Sequence, residues 1–186
     1  MYGYRLCSEI TDETLKDFSK FVEGIEDGAE VSLYISSYGG DCFMSVGIID
    51  IMQRKHLNTT AIILGVAASA AAIIALSCNK VIMSPLGHLM LHSAWSENPN
   101  DDEGVKAAND AQFAVIHKRC PSLSAKDIFN GCDKWIGAKE ALALGLIDNI
   151  DSSYAVAAMT NNIYNNYNGD LKMEEKEKEM QETVEQ

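Results

Sequence analysis

The sequence is short of basic residues. Its 186 residues include 15 Lys and Arg against 27 Asp and Glu, which gives a formal net charge of −12 at pH 7. Nucleic acids and anionic membranes would repel such a chain. The composition therefore argues against both as partners, although it names no partner by itself.

Paired cysteine motifs are also absent. An odd number of single cysteines without CxxC spacing is typical of reduced thiols rather than of a disulfide framework. No clustered Cys/His pattern predicts a structural zinc site. The five cysteines are Cys7, Cys42, Cys78, Cys120 and Cys132.

No apolar run in the sequence is long enough to cross a membrane. The longest, residues 61–76, is rich in alanine and contains Gly65 and Ser69, and it falls short of the roughly 20 residues that a span needs. The N-terminal residues lack the basic region and apolar core of a signal peptide. We therefore expect a cytoplasmic protein.

What the sequence does contain is an alternation of strand-like and helix-like segments. Apolar residues spaced three or four apart indicate helices, and short alternating or β-branched runs indicate strands. Gly65 is expected to end the strand before it. The order strand, glycine turn, helix occurs twice and predicts a layered α/β domain with parallel strands. The expected elements are helices at 12–26, 41–57 and 67–79, strands at 4–10, 31–36, 59–64, 80–84 and 88–94, a polar loop at 95–112 before another helix, and a helix from 135 that Gly145 ends.

The composition changes near Ala158. Residues 160–170 are rich in asparagine, and residues 171–186 are nearly all charged or polar. Such segments bury too little apolar area to fold alone. We therefore expect one folded domain over residues 1–157 and a disordered or solvated helical tail over residues 158–186.

Ser69 is the first candidate for chemistry. It follows a strand and a glycine, where the unpaired N–H groups and the positive end of a helix favour a developing negative charge. A serine in an alanine-rich helix is ordinarily a packing residue, so its position alone does not make it a nucleophile. A serine nucleophile also needs a base, because its hydroxyl is almost wholly protonated at neutral pH.

Histidine supplies the candidate base. His56 and His117 lie beside cationic residues and are expected at the surface, and His88 is expected in a turn. His92 closes an apolar strand, where a polar side chain would reach an opening. Taken alone, His92 fits a buried core histidine equally well.

Asp133 and the pair Gly39–Gly40 complete the candidate set. Asp133 precedes an expected helix, where an aspartate either orients a base or caps the helix. The two glycines form an ordinary turn or, with no side chain in the way, bring a backbone N–H to an oxyanion. Each feature alone has an ordinary structural explanation.

Four strings taken in order resemble the Clp protease proteolytic subunit family: YISSYGGDCFMSVGIIDIM, GVAASAAAIIAL, IMSPLGHLMLH and DKWIGAKEALALGLIDNI. The resemblance covers roughly residues 4–150. It implies a crotonase-like spiral of repeated ββα units in a single α/β domain, assembled into homo-oligomeric rings of about six or seven subunits. It also implies peptide-bond hydrolysis through an acyl-enzyme, with neither metal nor organic cofactor.

The resemblance also implies a role for each candidate residue. Ser69 corresponds to the nucleophile, His92 to the general base and Asp133 to the carboxylate that orients the base. Two backbone N–H groups would form the oxyanion hole beside a supporting turn. The donors are Gly40 and Ala70, and the turn residue is Gly39.

The sequence departs from the family at several places. Tyr38 replaces a usual proline, and AASAAA at residues 67–72 replaces the common AASMGA. No counterpart of the family's axial loops precedes Tyr4, which argues against docking to an AAA+ unfoldase. The stretch from His92 to Asp133 is short, which favours a single ring or a looser assembly over two joined rings.

These departures and the Glu/Lys-rich tail resemble the Clp-type head-maturation proteases of tailed phages. The leading hypothesis is a self-compartmentalising serine endopeptidase that cleaves phage scaffold and capsid precursors, in the bacterial cytoplasm or in a procapsid within it. The alternative is a housekeeping-type subunit that degrades unfolded proteins with an AAA+ ATPase. A crotonase-type acyl-CoA enzyme and an inactive ring subunit are further alternatives.

Overall fold

The computed structural model describes residues 2–151 and Ser153. The predicted tail at residues 158–186 lies outside this range, and the described elements belong to one compact unit. In chain order these elements are β1 (Tyr2–Leu6), α1 (Asp12–Glu23), β2 (Glu30–Ser37), α2 (Cys42–Arg54), β3 (Asn58–Ala68), α3 (Ala70–Ser77), β4 (Lys80–Met83), β5 (His88–Leu91), α4 (Asp102–Arg119), α5 (Ala125–Ile128), β6 (Lys134–Gly137), α6 (Ala138–Ala143) and β7 (Asn149–Ile150).

The described strands form one seven-stranded sheet. Its main path runs β1-β2-β3-β4-β7, and each pair along this path is parallel. β5 pairs in parallel with the C-terminal part of β3 and antiparallel with β6. The predicted α/β domain of mainly parallel strands is therefore confirmed.

Side-chain caps fix where the first two helices begin. Thr11 caps α1 in a reciprocal capping box with Thr14, and the Asp41 carboxylate accepts the N–H groups of Phe43 and Met44 at the start of α2. These bonds satisfy donors that the first helical turn leaves unpaired. The start of α2 bears directly on the candidate site, because its capping residue Asp41 follows the glycine turn at residues 39–40.

The strand β3 does not end at Gly65, contrary to the prediction. Thr60–Ile63 pair with β4, and Val66–Ala68 pair with β5. A second partner strand takes over beyond the glycine, so the ladder continues for 11 residues. For the same reason α3 begins at Ala70 rather than near residue 67, since the preceding residues belong to the strand.

The segment 95–112 was expected to be a loop, and this prediction is wrong from Asp102 onward. The Asp101 side chain accepts the Gly104 N–H and caps α4, which continues for 18 residues. A capping aspartate followed by acidic first-turn residues outweighs the polar composition of the segment. Neither α4 nor any other described helix is both long and apolar enough to cross a membrane.

The helix α3 lies in the middle of the core. Every residue from Ala70 to Leu76 is buried, and the helix packs against α2, α4 and β3. Its alanines let neighbouring elements approach closely, because they carry only a methyl group. The start of α3, and with it Ser69, is consequently held by packing on several sides.

Candidate active site

Ser69 forms the sharp turn between β3 and α3. Its backbone angles are φ 53° and ψ −126°, a conformation that residues other than glycine rarely adopt. The Ser69 N–H donates to the Met90 carbonyl at 2.8 Å, and its own carbonyl accepts the Ile73 N–H at 3.2 Å. The surrounding hydrogen bonds hold this strained turn, while the side chain makes no capping bond.

The Ser69 hydroxyl instead contacts His92. The distance between His92 Nε2 and Ser69 Oγ is 2.7 Å, which is hydrogen-bonding distance. The pairing of Ala68 with Met90 brings the ends of β3 and β5 side by side, so the residues that follow the two strands meet. The two residues that the sequence singled out as nucleophile and base are thus in direct contact.

Asp133 lies on the other side of the imidazole. The distance between its Oδ1 and His92 Nδ1 is 3.3 Å, and the Asp133 side chain is 56% exposed. Asp133 does not precede a helix as expected but the strand β6, whose Lys134 pairs with Leu91. One step beyond this antiparallel pair, His92 and Asp133 are cross-strand neighbours.

The glycine turn packs directly against Ser69. A Cβ atom on Gly39 would lie 2.6 Å from the Ala68 carbonyl oxygen, 2.8 Å from Ser69 Cβ and 3.0 Å from the Ala70 nitrogen. Gly39 also has a φ of 99°, which favours glycine. Close approach and backbone conformation therefore both require glycine at this position.

Gly40 and Ala70 each present a backbone N–H near this turn. Ile10 bonds to the residues on either side of Gly40, through the Gly39 carbonyl and the Asp41 N–H at 2.8 Å each. Neither of these two bonds uses the Gly40 N–H. Ala70 occupies the first turn of α3, where N–H groups have no acceptor within the helix. Both are positioned as candidate donors to an oxyanion.

A cavity of about 880 Å³ opens at Ser69 and His92. Its walls include three exposed aromatic side chains that sequence reasoning did not assign to the site, namely Tyr38, Phe43 and Trp95. The signal that would have found them is their place in the chain, because each lies within a few residues of the glycine turn or of His92. The cavity is large enough to hold a ligand of several residues.

Cys42 lines the same cavity but is unsuited to act as a second nucleophile. Burial, followed by the charge of Asp41, raises the pKa of the Cys42 thiol. Its sulfur also contacts the Ala108 carbonyl at 3.7 Å. Because the reactive form of cysteine is the thiolate, the raised pKa disfavours Cys42 as a nucleophile.

Comparison with known proteins identifies the family. Residues 4–153 match the family model described as Clp protease. The chain belongs to the Clp protease family. As a member of this family it is a serine peptidase, which confirms the activity that the sequence predicted.

Curated relatives of this family come from several bacteria. The chain is 26% identical over 153 residues to an ATP-dependent Clp protease proteolytic subunit of Bacteroides fragilis, covering 76% of this chain and 73% of the relative. It is 29% identical over 142 residues to the subunit of the same name from Leuconostoc citreum, covering 70% of this chain and 71% of the relative.

Solved structures align with most of this chain. A Clp proteolytic subunit mutant from Listeria monocytogenes aligns with a TM-score of 0.69 at 21% identity, covering 81% of this chain and 91% of that chain. A peptidase from Plasmodium falciparum aligns with the same TM-score at 20% identity, covering 81% of this chain and 96% of that chain. The predicted single-domain α/β fold of Clp proteases is confirmed.

Proposed function

We propose that this chain is a serine endopeptidase in which Ser69, His92 and Asp133 form the catalytic triad. The observation that carries the proposal is the continuous contact from Ser69 Oγ through the His92 imidazole to the Asp133 carboxylate. This arrangement opens into a cavity with room for a polypeptide segment. The same three groups in the same order of contact define a serine protease triad.

The mechanism follows from this geometry. His92 Nε2 takes the Ser69 proton as Oγ attacks the scissile carbonyl, and Asp133 holds the Nδ1 proton of the imidazole and stabilises the cation that forms. The N–H groups of Gly40 and Ala70 stabilise the tetrahedral oxyanion. His92 then gives its proton to the leaving amine as the peptide C–N bond breaks. In deacylation His92 takes a proton from a water that attacks the acyl carbon, and it returns this proton to Ser69 Oγ as the ester bond breaks.

The contact between Ser69 and His92 also argues against a crotonase-type enzyme and an inactive ring subunit. A crotonase-type acyl-CoA enzyme shares the paired oxyanion N–H groups but does not need a Ser–His–Asp set in contact. A catalytically silent ring subunit has no need of a serine held in a strained turn against a histidine. Both features are accounted for by hydrolysis through an acyl-enzyme.

For the biological role, we favour the housekeeping-type hypothesis over phage head maturation. The curated relatives are named ATP-dependent Clp protease proteolytic subunits, which supports a ring-forming subunit that degrades polypeptides delivered by an ATPase. The head-maturation hypothesis, with scaffold and capsid precursors as substrates, depends on sequence features alone. Degradation of an unfolded tagged protein by the chain with an AAA+ Clp ATPase and ATP, and not by either alone, would support the first hypothesis.

Labelling with a fluorophosphonate tests the chemistry. The probe is expected to attach to Ser69 in the assembled protein and to be lost in His92→Ala, because the hydroxyl is unreactive without its base. Ser77→Ala is the matched control, since Ser77 donates to the Ile74 carbonyl and lies outside the cavity. Absence of labelling in folded wild-type protein, or equal labelling of His92→Ala, would contradict the proposal.

A further inference from the structure

The cavity at Ser69 is acidic as well as aromatic. Its lining contains four carboxylates, and within the described part of the chain neither lysine nor arginine lines it. The four are Glu9, Asp41, Glu97 and Asp101. Of the described residues on the wall, His92 alone has a basic side chain, and its proposed role is to accept and release a proton during catalysis.

The lining carboxylates come from separate segments of the chain. Glu9 directly precedes Ile10, which forms a β-bridge with Gly40. The Glu9 Cγ would lie 3.0 Å from a Cβ placed on Gly40. Glu97 belongs to the segment that leads from His92 to α4. A polypeptide bound in the cavity at Ser69 would therefore meet carboxylates from two separate segments of the chain.

Two of these carboxylates are free to meet a ligand. Asp41 and Asp101 accept backbone N–H groups as helix caps, where the positive helix end offsets part of their charge. Glu9 and Glu97 are exposed and take part in no ion pair with another described residue. Among the described residues, no lysine or arginine on the wall compensates their charge. A cleft lined by one sign of charge concentrates ligands of the opposite sign.

The aromatic rim suits the same ligand. Tyr38 is 77% exposed and Trp95 is 71% exposed, and both line the cavity together with Phe43. Aromatic faces attract ammonium and guanidinium groups, and they also cover the aliphatic stems of lysine and arginine. Carboxylates and exposed rings in one groove thus favour a long cationic side chain over an anionic one.

Resting on the proposed peptidase function, we infer that this groove selects polypeptide segments that carry lysine or arginine next to the scissile bond and disfavours acidic segments. Glu9 and Glu97 would be the specificity-determining residues. The chain's own tail at residues 171–186 contains three lysines and six glutamates, so it is a poor match for this groove.

A binding experiment on Ser69→Ala tests the inference without requiring turnover. Three fluorescent peptides, identical except for Lys, Gln or Glu at the two positions flanking one central leucine, are titrated against the assembled protein at low and high salt. The Lys peptide is expected to bind about tenfold more tightly than the Glu peptide at low salt. The expected factor is modest because each exposed ion pair contributes little. The difference should shrink as salt rises.

Neutralisation of the two free carboxylates provides the decisive comparison. Glu9→Gln combined with Glu97→Gln is expected to reduce the Lys-to-Glu ratio to about twofold or less. Glu23→Gln combined with Glu26→Gln is the matched control, because both residues are exposed and lie outside the cavity. Equal binding of the three peptides, or a charge order that survives neutralisation of Glu9 and Glu97, would overturn the inference.

Hydrolysis by the protein with Ser69 intact separates this inference from the proposed function. Cleavage of all three peptides at equal kcat/KM would contradict the inference and support the peptidase function. Charge-ordered binding without cleavage of any peptide would support the inference and contradict the peptidase function. Preferred cleavage of the Lys peptide that is lost in the double neutral variant supports both.

Discussion

His92 and Asp133 are cross-strand neighbours, one step beyond the pair of Leu91 and Lys134 that ends the β5–β6 ladder. The backbone pairing of two short strands therefore brings the proposed base and its orienting carboxylate together across 41 residues of sequence. Neither residue reaches the other through a flexible loop. The geometry of the base depends on the integrity of this ladder.

Asp133→Asn is expected to lower kcat/KM by about 100-fold, and by less than His92→Ala does. The amide keeps the size of the side chain but cannot stabilise the imidazolium that forms in the transition state. The effect should fall at the low end for such triads, because the carboxylate is half exposed and lies 3.3 Å from Nδ1. Steady-state hydrolysis of a peptide substrate gives the ratio. Asp110→Asn, an exposed change in α4, is the control, and full activity of Asp133→Asn would argue against the assigned role.

Gly39→Ala is expected to lower kcat/KM by about 100- to 1000-fold, the cost of losing one oxyanion donor. The new methyl group would collide with the Ala68 carbonyl and with Ser69 Cβ, so the turn must move away from the nucleophile. Gly24→Ala is the matched control, because nothing lies within 4 Å of its Cβ position and its φ is −92°. Peptide hydrolysis by the two variants, with Tm measured alongside, checks the prediction. Equal activity of both would show that the close approach at Gly39 is unimportant.

Cys78 makes the fold sensitive to alkali. Burial raises the pKa of its thiol to about 12, against an ordinary value of 9.0. The thiol therefore stays neutral in the folded protein while the unfolded chain ionises, so stability that is fully present below pH 9 is lost as pH rises toward 12. We expect the free energy of unfolding to fall by about 1 kcal/mol more between pH 8 and pH 10 in wild type than in Cys78→Ala. Urea titrations at the two pH values measure this, and parallel pH dependences would contradict it.

The Arg119 side chain links the C-terminal end of α4 to the segments that precede β4 and β7. Its side chain is 15% exposed, pairs with Asp148 and donates to the carbonyls of Cys78 and Leu146 at 3.2 Å each. Arg119→Ala is expected to cost about 2 kcal/mol of unfolding free energy, because it leaves several partly buried acceptors without a donor.

Arg54→Ala serves as the comparison for this prediction. Arg54 forms an ion pair with Asp50 at 2.6 Å, but its side chain is 77% exposed. Such a pair within a surface helix contributes about 0.5 kcal/mol or less. Denaturant midpoints of the two variants decide the matter, and similar losses would mean that Arg119 has no special role.

The sequence by itself determined the elements that local chemistry specifies. The helices α1 and α2 were predictable because their apolar spacing and their acidic or capping first turns are local signals. Ser69, His92 and Asp133 could also be chosen as the candidate set from the sequence, since each lies in a string that resembles the family. The tertiary structure brought these three residues into contact.

Only the tertiary structure decided what depends on pairing between distant segments. The strand β3 continues past Gly65 because its C-terminal part pairs with β5. The segment after Asp133 is a strand because it pairs with β5 as β6. Local propensity cannot show either result, since both partners lie elsewhere in the chain. The acidic and aromatic walls around Ser69 come from separate segments for the same reason: folding places side chains from distant parts of the sequence on one surface.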